Sequence, residues 1–128
     1  MADSKRYLDW YQKSLKDLDG AKILFKYGGD FSIVAFHCQQ SIEKLLKGYM
    51  LKESNTLLEG HSLIYLCKHV MSFDLSIKQF MRDCAYINQF YIETRYPADL
   101  PTVITSEEAE ECIDIAEKLR KHILGTDE

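Results

Sequence analysis

Four polar side chains near the middle of the chain are placed to bind a charged ligand. Gln40, Glu43, Lys44 and Lys47 follow one another at spacings of three, one and three residues, which on a helix places them on one side. A lysine ammonium suits phosphate, and a glutamine amide can bond to a base edge or a backbone group. The hypothesis is that a nucleotide, or a phosphate-bearing ligand of a partner, is contacted by Gln40, Lys44, Lys47 and Arg95.

Each of these residues also has a structural interpretation. Glu43 and Lys47 form an ordinary i,i+4 pair on a solvated helix face. Arg95 lies in the last turn of a predicted helix, where a cation interacts with the exposed carbonyls, or it pairs with Glu43 across the bundle. His61 follows a glycine at a helix start, where a capping or hydrogen-bonded core histidine is the usual outcome. These alternatives remain open at the level of sequence.

The common catalytic motifs are absent from the sequence. There is no HExxH or Glu-x-x-His metal pattern and no GxSxG nucleophile turn. Neither a P-loop nor a GxGxxG fingerprint is present, so a nucleotide would be held by side chains or helix ends. We therefore assign no catalytic residue, metal ligand or cofactor, and the sequence favours a binding protein over an enzyme.

Apolar residues recur at three-to-four spacing through five segments, which predicts five helices. Asp30 is a plausible N-cap of the second, and Asp74 or Ser76 of the fourth. Thr105 and Glu108 predict a capping box at the start of the fifth. The helices span about residues 4–27, 31–53, 62–71, 76–94 and 105–124.

These helices predict an all-α protein with one domain over residues 1–128. Four of them have about 20 residues and a length of about 30 Å, and the third is short. Short connections favour antiparallel neighbours, so we expect an up-and-down antiparallel bundle. Gly20 interrupts the first helix and predicts either a close packing contact or a local bend.

Three motifs in the chain resemble those of one known family. Residues 36–47 read Phe-His-Cys-Gln-Gln-Ser-Ile-Glu-Lys-Leu-Leu-Lys, and the Gln-Gln pair with Glu-Lys and a second Lys looks like a signature helix. Residues 61–63 read His-Ser-Leu, and residues 91–97 end in Arg-Tyr-Pro. In order and spacing, over nearly the whole chain, these motifs resemble the HEPN (higher eukaryotes and prokaryotes nucleotide-binding) family.

The resemblance implies a helical bundle that dimerises and pairs with a small nucleotidyltransferase, including in toxin–antitoxin pairs. Some members are ribonuclease toxins with an arginine followed four to six residues later by a histidine. Arg120 and His122 are too close for that motif, so a ribonuclease is the disfavoured alternative. The predicted ligand-binding residues are Gln40, Glu43, Lys44, Lys47, His61, Arg95 and Tyr96.

Composition and hydropathy argue against a general nucleic-acid-binding protein, a membrane protein and a secreted protein. With a formal net charge of -4, the chain has no general attraction for nucleic acid. It has no run of about 18 apolar residues that would span a membrane, and its amino terminus does not resemble a signal peptide. The four cysteines are expected in the core of a cytoplasmic protein.

Trp10 and Phe36 fall away from the main apolar stripes, which predicts a homodimer or partner interface. The alternative is that the many aromatic rings simply fill a wide core.

Overall fold

The computed structural model describes residues 6–95 and 103–125, and of residues 92–95 only the backbone. These residues form five α-helices and one 3₁₀ helix, with no strand among them, so the prediction of an all-α antiparallel bundle is confirmed. The elements are α1 (Arg6–Lys26), α2 (Phe31–Ser54), α3 (Leu63–Phe73), the 3₁₀ helix (Leu75–Phe80), α4 (Met81–Arg95) and α5 (Ser106–Leu124).

The helix ends follow the predicted capping chemistry. Asp30 accepts a hydrogen bond from the Ser32 amide at 2.7 Å and caps α2. Thr105 and Glu108 form the reciprocal capping box of α5. At the other end of α5, the Gly125 amide donates to the Lys121 carbonyl at 2.9 Å. Local sequence therefore determines where α2 begins and where α5 begins and ends.

The fourth helix departs from the predicted single α-helix. Asp74 caps a 3₁₀ helix, and α4 begins only at Met81, with 15 residues instead of about 20. The backbone amide of Asp74 donates to the Val70 carbonyl at 2.7 Å, while its carboxylate accepts from the Ser76 amide at 3.0 Å. Asp74 is thus both the C-cap of α3 and the N-cap of the 3₁₀ helix, and no loop separates the two elements.

Side chains of α1 pack closely against α2 at Gly48. A Cβ there would lie 2.8 Å from Tyr11 Cε1 and 3.0 Å from the Trp10 Cβ. Gly20 behaves differently, because a Cβ at that position would meet no atom within 4 Å. The close contact expected at Gly20 is therefore wrong, and α1 continues without interruption through it.

Ser14 of α1 and Ser41 of α2 join the two helices through polar contacts inside the bundle. The Ser14 hydroxyl donates to the Ser41 carbonyl at 2.7 Å, and the Ser41 hydroxyl donates to the Ser14 carbonyl at 2.9 Å. Both side chains are buried, and reciprocal bonding satisfies groups that would be costly to bury alone. This pair fixes the register of α1 against α2.

All four cysteines lie in the core as free thiols, as expected. Each is fully buried, and burial raises the pKa of Cys112 to about 12. The core draws on every helix, and its largest fully buried apolar side chains are Leu18, Ile42, Leu45, Leu46, Leu63, Leu66, Ile77, Ile87, Phe90, Ile115 and Leu119.

Candidate functional site

A buried carboxylate organises the polar residues of α2. Glu43 lies one helical turn after Gln39, and both fall on the stripe that carries Ala35, Ile42 and Leu46 into the core. Their burial therefore follows from the position of the stripe. We call the residues around this carboxylate the Glu43 cluster; they are Gln39, Gln40, Glu43, Lys47 and His61.

Glu43 and Lys47 form an ion pair that is shielded from solvent. Lys47 Nζ lies 3.0 Å from Glu43 Oε2, and the two side chains are only 9% and 5% exposed. The i,i+4 pair that the sequence suggested is thus present, but it is buried and not on a solvated face. The same ammonium lies 5.7 Å from the centroid of the Trp10 ring, so α1 covers it on one side.

His61 binds the same carboxylate from outside the helix. Its Nδ1 lies 3.1 Å from each of the two Glu43 oxygens. Because an ionised carboxylate can only accept hydrogen bonds, Nδ1 is the donor in this contact, and in the neutral tautomer that this requires the lone pair lies on Nε2. The side chain is 56% exposed, so His61 is not a core histidine. The cap of α3 is Ser62, whose hydroxyl accepts from the Tyr65 amide.

Gln39 holds the backbone of His61, and Gln40 in turn holds the side chain of Gln39. Gln39 is fully buried and donates from Nε2 to the His61 carbonyl at 2.9 Å. Gln40 donates from its own Nε2 to Gln39 Oε1 at 2.7 Å. The ring and the backbone of His61 are therefore both attached to α2, although 18 residues separate His61 from Glu43 in the sequence.

A row of three aromatic rings ends at His61. The His61 and Tyr91 rings are stacked at 5.1 Å with an interplanar angle of 16°. Phe36 stacks on Tyr91 at 6.1 Å and 27°. A cleft of about 210 Å³ lies at this end of the row, and its lining residues are His61, Ser62, Asn88 and Tyr91.

Lys44 belongs to a separate group. Its Nζ lies 2.6 Å from Asp17 Oδ2 of α1, and His37 Nδ1 lies 3.6 Å from the other oxygen of that carboxylate. We call these three residues the Asp17 cluster. The residues predicted as one patch on α2 thus divide, because Gln40 and Lys47 contact Glu43 while Lys44 contacts α1.

Arg95 and Tyr96 lie at the edge of what the structure describes. The backbone of Arg95 forms the end of α4, as the sequence suggested, but its side chain lies outside the described residues. Tyr96 lies wholly outside them. Their assignment as ligand-binding residues remains a prediction, as does the pairing of Arg95 with Glu43.

Several residues of the site were not predicted to bind ligand from sequence. Gln39 could have been identified as a buried polar residue, because it is four residues after Ala35 and three before Ile42. Asn88 and Tyr91 gave no such signal, because only packing of α4 against α3 brings them to the cleft. Trp10 and Phe36 are half-buried within the chain, and each has a contact there, Trp10 with Lys47 and Phe36 with Tyr91.

Metal binding and membrane insertion gain no support from the described part of the chain. Among residues 6–95 and 103–125, no group of three or more His, Cys, Asp or Glu side chains is placed to hold a metal ion. Over the same residues, none of the helices combines the length and the apolarity that a membrane span needs.

Comparison with known proteins places this fold in a family. The crystal structure of TT1696 from Thermus thermophilus is similar, with 28% identity, a TM-score of 0.81 and coverage of 94% of this chain and 97% of that one. The crystal structure of ST0689, an archaeal HEPN homologue, has the same fold at 22% identity, a TM-score of 0.73, and coverage of 93% and 95%. No curated protein matches the sequence. The model of the HEPN domain matches residues 7–125, and the chain therefore belongs to the HEPN domain family.

Proposed function

We propose that the chain is a non-catalytic binding and assembly module that binds a nucleotide at the His61 face, dimerises and pairs with a small nucleotidyltransferase, as in toxin–antitoxin pairs. The observation that carries the proposal is the attachment of the partly exposed His61 to the buried Glu43. Burial of the Glu43–Lys47 ion pair costs desolvation energy. A histidine that is oriented by this buried carboxylate beside an open cleft is typical of a site built to present a group to a ligand.

The charges in the site favour binding over catalysis. Lys47 is paired with Glu43 and Lys44 with Asp17, so neither ammonium is available to stabilise a developing negative charge. His61 supplies an imidazole, but its hydrogen-bond partner in the described part of the chain is a carboxylate and not a hydroxyl or thiol nucleophile. The arrangement can hold a ring and a polar edge in place.

Dimerisation and the nucleotidyltransferase partner rest on family membership and on exposed apolar side chains. Contiguous exposed apolar patches often mark an interface, and in the described residues such a patch would draw on the large apolar side chains that are at least half exposed. These are Ile23, Tyr27, Phe73, Leu75 and Val103.

Calorimetric titration with ATP and AMP tests the nucleotide part of the proposal. We expect saturable binding that is lost in His61→Ala and kept in Lys44→Ala, because Lys44 lies in the other cluster. If neither ATP nor AMP gives a binding heat at millimolar concentration, the proposal that the chain binds a nucleotide is wrong.

The assembly part has its own tests. Light scattering on the protein expressed alone should give the mass of a dimer, whereas a monomer at micromolar concentration would contradict the homodimer. Copurification of a tagged chain from its own cells should recover a nucleotidyltransferase.

A ribonuclease is the second candidate, because a carboxylate-bound histidine is also the arrangement of a general base. RNA cleavage by the purified protein that disappears in His61→Ala, and not in His122→Ala, would favour it over the binding module.

A further inference from the structure

We infer that the cleft beside His61 binds one planar heteroaromatic ring of the nucleobase class by stacking, and that Lys44 and Lys47 take no part in holding the phosphates attached to it. The inference rests on the nucleotide part of the proposed function and specifies which part of the ligand is bound. It depends on the order of the stacked rings, on the size and polarity of the cleft and on the pairing of the two lysines.

The row of rings has a free end. Phe36 and His61 stack on Tyr91 at interplanar angles of 27° and 16°, so both neighbours lie nearly parallel to it. One edge of the His61 ring faces Glu43 and one face lies on Tyr91, yet 56% of the side chain is exposed. The cleft is lined by both His61 and Tyr91, and a fourth ring would pack there against the part of the His61 ring that Glu43 and Tyr91 leave exposed.

The platform is fixed before a ligand arrives. Glu43 bonds the His61 ring and Gln39 bonds its carbonyl. Restricting a side chain in its bound conformation lowers the entropic cost of association. A histidine held in this way is suited to base stacking, which depends on π-surface and tolerates different bases.

The size and edge of the cleft favour a single polar ring. About 210 Å³ is below the range of roughly 300–1,000 Å³ typical of sites that enclose a drug-sized ligand, so only one ring would be enclosed. Asn88 Oδ1 accepts from the Leu63 amide at 2.7 Å, which leaves the amide NH₂ as a donor at the cleft. Ser62 accepts from the Tyr65 amide and keeps its own hydroxyl proton to donate. Two donors at the rim match the ring nitrogens and carbonyls of a base better than the plain edge of a phenyl ring.

Lys44 and Lys47 add little attraction for phosphate. Lys47 lies 3.0 Å from Glu43 and Lys44 lies 2.6 Å from Asp17, and each pair is close to neutral as a unit. A phosphate would have to compete with a carboxylate already in place. These two lysines therefore give a nucleotide no advantage over its nucleoside.

The experiment compares adenosine, ATP and inorganic tripolyphosphate by titration followed in ¹H–¹⁵N NMR spectra. We expect adenosine and ATP to bind within about threefold of each other, with shifts centred on His61, Asn88 and Tyr91, and tripolyphosphate to leave these signals unchanged. His61→Ala should weaken adenosine binding by about tenfold or more, the loss expected for one stacked base. His61→Phe should lose less affinity than His61→Ala, because it keeps a ring for stacking but not the hydrogen bond to Glu43.

Two more variants locate the edge contacts. Asn88→Asp keeps an acceptor for the Leu63 amide but removes the NH₂ donor, so adenosine should bind more weakly while α3 stays folded by circular dichroism. Lys44→Gln is the matched control and should leave adenosine affinity unchanged.

The outcomes separate the inference from the function on which it rests. Binding of ATP without binding of adenosine would overturn the inference and leave nucleotide binding intact. Binding of neither would remove both. Equal loss in His61→Phe and His61→Ala would contradict stacking. Equal affinity for N-acetyltyrosinamide would contradict the nucleobase class and point to an aromatic side chain of a partner.

Discussion

The α1–α2 pair contains two carboxylate–lysine clusters with different surroundings. In the Glu43 cluster, the acid and the lysine are both on α2 and are 5% and 9% exposed. In the Asp17 cluster, the acid is on α1, the lysine is on α2, and the side chains are 18% and 24% exposed. The lysines are three residues apart and look equivalent in the sequence. Because its partner carboxylate is more deeply buried, we expect Lys47 to contribute more to the fold than Lys44.

The packing of α1 against α2 is also closer beside the Glu43 cluster than beside the Asp17 cluster. Gly48 follows Lys47 directly, and α1 lies against it so closely that a Cβ would be 2.8 Å from Tyr11. Gly20, three residues after Asp17, has open space around it. The helix pair is thus tightly packed beside the Glu43 cluster and open beside the Asp17 cluster, so substitutions in the two regions should differ in their effects.

Removing Glu43 should have the largest effect. Glu43→Ala leaves the buried Lys47 without its counter-ion, and breaking a buried pair in this way costs about 3–5 kcal/mol. Urea unfolding followed by circular dichroism measures the loss.

The double variant Glu43→Leu with Lys47→Met sharpens this test. Replacing a buried pair by apolar residues of similar size is often neutral, so the double variant should be more stable than Glu43→Ala. If the double variant is as unstable as the single one, the desolvated charge is not the cause.

The two glycines should respond in opposite directions to the same substitution. Gly48→Ala forces α1 away from α2 and should cost about 1–3 kcal/mol, as overpacking usually does. Gly20→Ala enters open space in a helix and should stabilise by up to about 1 kcal/mol. Thermal unfolding of both variants against wild type tests this, and a stable Gly48→Ala variant would show that the interface can give way.

Lys44 should matter little for stability. Lys44→Ala removes a partly solvated pair, and such pairs contribute about 0–1 kcal/mol. Raising the salt concentration should reduce even this difference, because ions screen exposed charges. A loss as large as that of Glu43→Ala would erase the distinction between the clusters.

The smallest effect concerns Asp74, which belongs to neither cluster. Hydrogen bonds from Tyr49 and Ser76 hold the pKa of this carboxyl below its ordinary value. A depressed pKa in the folded state stabilises the protein above the unfolded pKa of about 3.9. That contribution is lost as the pH falls below this value and through the folded-state pKa.

Unfolding measured between neutral pH and strongly acidic pH should therefore show a shallower acid loss in Asp74→Asn. Tyr49→Phe removes the hydrogen bond that lowers the pKa of Asp74 most, so it should also reduce the loss of stability at acidic pH. An unchanged acid limb in both variants would contradict the assignment.

The sequence predicts the parts of this fold that depend on neighbouring residues. Asp30, Thr105 and Glu108 act within one turn of their own helices, so their roles follow from spacing. The 3₁₀ helix before α4 was not predicted, because Ile77, Phe80 and Cys84 are spaced for an α-helix and also suit a tighter turn.

The site was only partly predictable for a related reason. Glu43 and Lys47 are four residues apart, and their contact follows from helix geometry. Lys44 and Asp17 are 27 residues apart, and His61 reaches Glu43 over 18. Such pairings depend on how the helices pack, which periodicity alone does not determine. The burial of Gln39 and Glu43 does follow from periodicity, because both lie on the helix face that carries Ala35, Ile42 and Leu46.

The tautomer of His61 gives the most direct test of whether Glu43 orients the binding face. Long-range ¹H–¹⁵N NMR spectra, recorded at a pH where histidine is neutral, distinguish a proton on Nδ1 from one on Nε2. We predict that His61 is protonated at Nδ1 in the wild-type protein and loses this preference in Glu43→Ala. A wild-type His61 protonated at Nε2 would show that Glu43 does not orient the ring. That result would contradict the proposal that His61 is held in place to bind a ligand.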